Sequence, residues 1–155
     1  MDSLLHGPDF KRSLSVAYAA LSRRAYSVHE LRENLEKKKV PESLREKVLK
    51  HLIGQGLLND REYAERFVSE RHRRGQGKRR IKFELIRRGV SENIIAGALE
   101  TLADESEEKK ALELALKKHK QGKSYNQVMR FLIGRGFTPD VCRKVLAGVF
   151  VTEDE

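Results

Sequence analysis

The chain has 155 residues, 39% of them hydrophobic and 35% charged, and its 32 Lys and Arg against 23 Asp and Glu give a formal charge of +9. That make-up suits one highly charged globular domain or a short repeat array, and no stretch reaches the roughly 20 apolar residues of a membrane helix. A single cysteine, Cys142, excludes an internal disulfide and a thiolate metal site, and with no signal-peptide pattern in MDSLLHGPDFKRS the expected compartment is the cytoplasm.

Three Pro, no Trp and an abundance of Leu, Ala, Glu, Lys and Arg predict helix nearly throughout and no strand. After a loose tail over 1–12, the first helix is expected at 13–24. Ser27 and Glu30 have capping-box spacing and open a second helix at 28–38. Pro41 opens a third at 41–53. In GQGLLND (54–60) two Gly end that helix, and Asn59 with Glu62 starts the next, at 60–73. Gly75-Gln76-Gly77 reads as a turn before a helix at 78–88, and Ser91 starts another at 91–102. The acids of ADESEE (103–108) favour the start of a helix at 106–120 through the macrodipole and need no functional reading. Ser124 with Gln127 repeats the capping box before 125–134. Thr138 and Pro139 begin the last helix, 139–148, and an acidic tail closes the chain at 151–155.

The chain repeats itself. A slide of 50 residues lays Leu31, Leu35, Val40, Leu44, Leu49 and Leu52 over Ile81, Leu85, Val90, Ile94, Leu99 and Leu102, and a further slide of 47 reaches Val128, Leu132, Phe137, Val141, Leu146 and Val149. Ser27, Gly77 and Ser124 are equivalent starts. Three tandem three-helix units follow, at 13–59, 60–105 and 106–150. Each has too little core to stand securely alone, so the units must pack in series, and the predicted fold is an all-α, elongated and curved array.

Charge is concentrated in the middle of this array. Residues 71–88, RHRRGQGKRRIKFELIRR, hold nine Lys or Arg against one acid, Glu84, while the other 137 residues hold 23 basic and 22 acidic side chains. A polyanion is expected to meet the protein here, through Arg71, Arg73, Arg74, Lys78, Arg79, Arg80, Lys82 and Arg87. On a helical wheel Ile81, Leu85 and Arg88 share one face, with Arg79, Phe83 and Arg87 roughly opposite. Phe83 could stack on a base, but a middle repeat has two neighbours, and Phe83 and Ile86 are expected to form its second apolar face. Gly75-Gln76-Gly77 follows no strand and precedes no Lys-Ser or Lys-Thr, so it is not a phosphate loop. As a turn between basic segments its freedom bears on binding. Lys117, Lys118, Lys120 and Lys123 mark the equivalent turn of the third unit and, with Arg130, extend the candidate surface. Tyr63 and Phe67, one helical turn apart beside Ala64 and Val68, have the spacing of a buried stripe. Catalysis finds no support: the five His are scattered, no carboxylate cluster or activated nucleophile stands out, and Cys142 sits among apolar neighbours as a buried thiol. No cofactor or metal is expected.

At 56–90, GLLNDREYAERFVSERHRRGQGKRRIKFELIRRGV, the chain resembles the RecX regulatory proteins. The resemblance is carried by Gly56, Leu57, Leu58, Asp60, Tyr63, Ala64, Phe67, Val68, Arg71, Gly75, Gly77, Arg80, Ile81, Glu84, Leu85, Gly89 and Val90, and extends more weakly over about 13–150. It implies a modulator of the recombinase RecA: a tandem array of three-helix repeats that lies in the groove of the RecA filament on DNA and usually inhibits strand exchange, ATP turnover and coprotease action; a monomer is expected. The first unit departs from the pattern with Lys39 where the second has Gly89. Two other readings compete. One three-helix unit could act as a helix-turn-helix on naked DNA, although 91–102 (SENIIAGALETL) offers no Lys, Arg, Gln or His to read base edges. An adaptor for an acidic protein would bind without any nucleic acid.

Overall fold

The structure, a computed structural model, describes residues 7–151, and among these there are nine α-helices and no strand. The first unit comprises α1 (Pro8–Arg23), α2 (Val28–Lys37) and α3 (Glu42–Gly54). The second comprises α4 (Asp60–Arg73), α5 (Lys78–Arg87) and α6 (Glu92–Leu99), and the third α7 (Asp104–Lys120), α8 (Tyr125–Gly134) and α9 (Pro139–Val149). Residues 1–6 of the expected N-terminal tail and 152–155 of the acidic tail lie outside the described residues.

Three boundaries differ from expectation by more than one residue, each for a local reason. Residues 8–12 belong to α1 rather than to a tail: Pro8 sits at the helix start, Asp9 in the first turn, and Phe10 is buried against the first core. Helix α6 ends at Leu99 rather than 102, with the Thr101 hydroxyl turned back onto the Ala98 carbonyl at 2.6 Å. Helix α7 begins at Asp104, two residues early, with three acids in its first turn.

Each unit has its own core. Leu31, Leu35, Val48, Leu49 and Leu52 fill the first. Phe67, Val68, Ile81, Leu85 and Ile95 fill the second, and Val128, Leu132, Phe137, Cys142 and Leu146 the third. Each fully buried Leu or Ile stabilises its unit by about 2 kcal/mol. The middle helix of each unit ends in the same way. A left-handed residue, Lys39 (φ 64°), Gly89 (78°) or Gly136 (100°), reverses the chain. The N–H of Val40, Val90 or Phe137 then returns to the carbonyl of Leu35, Leu85 or Leu132 at 3.0–3.1 Å. This satisfies the last helical carbonyls and drops the next apolar side chain into the core.

That turn also joins the units, on the pattern of turn into helix start. The Ser27 hydroxyl donates to the Arg88 carbonyl at 2.6 Å, and the Val28 N–H donates to the Asp60 carboxylate at 2.9 Å. One unit later, the Gly77 N–H donates to the Arg135 carbonyl at 2.8 Å and the Lys78 N–H to Glu107 Oε1 at 3.0 Å. An acid from the first helix of each following unit thus caps the middle helix of the one before it.

Candidate functional site

The basic stretch 71–88 folds into the end of α4, the turn 74–77 and α5. Its turn is clamped. Gly75, Gln76 and Gly77 are all buried, and the Arg135 guanidinium of the third unit donates to the Gly75 and Arg74 carbonyls at 3.1 and 2.7 Å. A Cβ on Gly77 would lie 2.4 Å from the Gly136 carbonyl carbon. This corrects the expectation that loop freedom serves binding, since the glycine is there to let two backbones meet.

The start of α5 has no side-chain cap of its own, because Gly77 precedes it. Glu107 supplies one from the third unit. It is 3% exposed, and burial pushes its carboxyl above the ordinary range, against the pull of the Lys78 N–H and ammonium. Beside it His72 Nδ1 lies 3.4 Å from the Gln76 carbonyl and 3.7 Å from Glu107 Oε1. Burial depresses the His72 pKa below its ordinary 6.5, which favours the neutral ring. A reading of ADESEE as a macrodipole feature of its own helix misses this role. The signal lies in the repeat, where Glu107 stands at the position of Asp60.

The predicted cations divide into two groups. Four are tied to acids: Arg71 to Glu84 at 3.4 Å, Arg74 to Glu70 at 2.7 Å, Lys78 to Asp104 at 3.4 Å and Arg80 to Glu84 at 3.4 Å. Arg71 also lies 4.6 Å from the centre of the Phe67 ring. The other four, Arg73, Arg79, Lys82 and Arg87, are exposed, and none has an acid within ion-pair distance among the described residues. Glu84, the only acid of α5, turns toward Arg71 and Arg80 and away from them.

Phe83 and Ile86 do not form a second core face: they are 59% and 46% exposed. The physical reason is the joint. The central unit meets its neighbours through the turn before α5 and the turn after it, so neither neighbour covers the helix between. Tyr63 and Phe67 are buried as their spacing predicts. Tyr63 accepts from Arg88 at 3.1 Å, and burial with the nearby Glu30 pushes its pKa up to about 12. Cys142 is fully buried, and burial pushes its thiol up.

Two further arginines enlarge the site: Arg24, outside the basic run, and Arg88, which belongs to the run but shares the wheel face of Ile81 and Leu85. Arg24 and Arg88 share Glu30 at 3.2 and 3.3 Å, and with Arg71, Glu84 and Arg87 they line an open cleft of about 700 Å³ between the first and second units. Arg88 does not join the core face of α5 as the helical wheel predicts; it is half-buried and reaches across the joint. Of the third-unit set, Lys120, Lys123 and Arg130 are exposed, while Lys118 is half-buried with its ammonium 4.5 Å from the centre of the Phe131 ring. No hydrogen bond or ion pair among the described residues links this set to α5.

Comparison with known proteins gives a consistent result. Models of the first, second and third three-helix domains of RecX match residues 14–52, 59–99 and 105–146. The regulatory protein RecX of Chlorobium phaeobacteroides (strain BS1) is 34% identical over 148 residues, covering 92% of this chain and 96% of the relative. That of Clostridium perfringens (strain 13 / Type A) is 32% identical over 146 residues, covering 89% of this chain and 68% of the relative. The crystal structure of RecX from Lactobacillus salivarius shares the fold with a TM-score of 0.83 at 24% identity, covering 93% of this chain and 98% of that one.

Proposed function

The chain belongs to the RecX family, and from that premise we propose that it is a non-enzymatic cytoplasmic regulator that binds the RecA filament on DNA and inhibits its recombinase, ATPase and coprotease activities. The observation that carries the reading is the set of four acid-free cations, Arg73 at the end of α4 and Arg79, Lys82 and Arg87 on α5, on either side of a turn that the third unit clamps and before a helix end bonded to the first. The single chain lies along the filament groove and touches successive protomers through α5 and, on the third unit, through Lys118, Lys120, Lys123 and Arg130. Several weak contacts on one rigid array add up to firm binding by effective concentration. A rod so placed hinders the conformational cycling of the protomers and the entry of a second DNA.

The test replaces Arg73, Arg79, Lys82 and Arg87 together by Glu. Suppression of RecA-dependent ATP hydrolysis should then need at least about tenfold more protein, because four attractions become repulsions, with helicity unchanged by circular dichroism. Undiminished inhibition would remove this surface from the mechanism. Sequence-selective binding to naked duplex would instead favour a helix-turn-helix role, for which α6 has no Lys, Arg, Gln or His.

A further inference from the structure

Helix α5 presents five exposed side chains at the spacing of one helical stripe: Arg79, Lys82, Phe83, Ile86 and Arg87. The two apolar members stand side by side in the middle, Phe83 at 59% and Ile86 at 46% exposure, with the cations around them and the Arg87 guanidinium 5.9 Å from the centre of the Phe83 ring. We propose that this stripe inserts into an apolar groove with an acidic rim on a protein partner. On the reading above, that groove belongs to the RecA protomer and not to the DNA.

Two observations, the apolar pair and the anchor spacing, favour a protein over nucleic acid, and the charge is compatible with it. Ile86 has no flat face to stack on a base, whereas an adjacent Phe and Ile fit an apolar pocket as a pair. The stripe carries no acid, since Glu84 faces Arg71 and Arg80, so its charge complements a carboxylate rim around that pocket. The spacing is that of a helix laid in a groove, with anchors three and four residues apart. The helix is also fixed before it binds. Gly77 and Arg79 are bonded through their N–H groups to the third unit, and the Arg88 carbonyl to Ser27 of the first, so little ordering remains to oppose docking.

The experiment compares the wild-type chain with Phe83→Ser, Ile86→Ser and the double variant. Affinity is measured for RecA assembled on single-stranded DNA with a slowly hydrolysed ATP analogue, and separately for the bare single strand. Both side chains are exposed, so the variants keep their fold, which circular dichroism verifies. The double variant should bind the filament about thirtyfold more weakly, the loss of a hot-spot pair, and the bare strand within about twofold of wild type. An equal loss on bare DNA would mean base stacking, and an unchanged filament affinity would mean that the stripe does not dock; either overturns the inference while leaving a RecA regulator in place. A wild-type chain with no affinity for the filament would overturn that broader reading, and this inference with it.

Discussion

A methyl group on Gly136 would lie 2.4 Å from the Arg80 Cβ and 2.6 Å from the Arg80 nitrogen, at a φ of +100° that L side chains rarely adopt. Gly136→Ala should therefore cost about 3 kcal/mol in urea unfolding, combining backbone strain with a forced separation of two units. Gly97 is the contrast: it lies inside α6, and a methyl group there would have nothing within 4 Å. Gly97→Ala should raise stability by about 0.5–1 kcal/mol in the same assay, through chain entropy alone. Composition does not separate these two glycines. The repeat does so in part, because Gly136 falls in a recurring turn and Gly97 does not. Phe83 shows the limit of such reading at this scale: an apolar residue off the core stripe is core or surface according to where the neighbour sits, and that depends on joints made by backbone groups.

Helix starts are the most legible elements. Ser27 with Glu30 and Ser124 with Gln127 form reciprocal capping boxes, Asn59 accepts from the Glu62 N–H at 3.1 Å, and Thr138 accepts from the Val141 N–H at 3.3 Å. These signals are local, which is why sequence spacing reveals them. Caps supplied by another unit are invisible to it, as Asp60 and Glu107 show. The two boxes allow the joint to be weighed separately from the cap. Ser27 is buried and its hydroxyl also donates to the Arg88 carbonyl, whereas Ser124 is exposed and serves its own helix. Ser124→Ala should cost about 1 kcal/mol, the usual value of a cap. Ser27→Ala should cost about 2 kcal/mol in equilibrium denaturation, because it also strands a carbonyl in the joint.

Over the whole molecule, the three-unit order and the location of the charge are readable from periodicity and counting, because both are sums over many residues. The joints are not, and they set the response to pH. Burial pushes the Glu30 carboxyl up, but the Ser27 N–H, the Tyr63 hydroxyl and the Arg24 and Arg88 guanidiniums together hold it below its ordinary 4.5. Its folded pKa is therefore lower than its unfolded one, so the stability it contributes is complete above about pH 4.5 and is lost as pH falls through the lowered value. Glu107 at the second joint has the opposite sign: its raised pKa contributes stability at low pH that disappears as pH rises through that value. Glu30→Gln should flatten the acid limb of a stability-against-pH curve, and Glu107→Gln should steepen it. The joint itself has unlike sides, a reversing turn on one and a helix start on the other, and contacts of that type can propagate without limit into fibres. Within the chain the turn side is glycine at both joints, where the absent side chain lets His29 and Arg80 come close. The same turn in the first unit carries Lys39 in the left-handed conformation. Unlike glycine it carries a side chain at the point where, in the other two units, a helix start approaches the turn. A Cβ at the equivalent Gly89 or Gly136 would come within 2.3–2.4 Å of the helix start seated there, so we expect Lys39 to disfavour the end-to-end addition of a second molecule through this kind of joint.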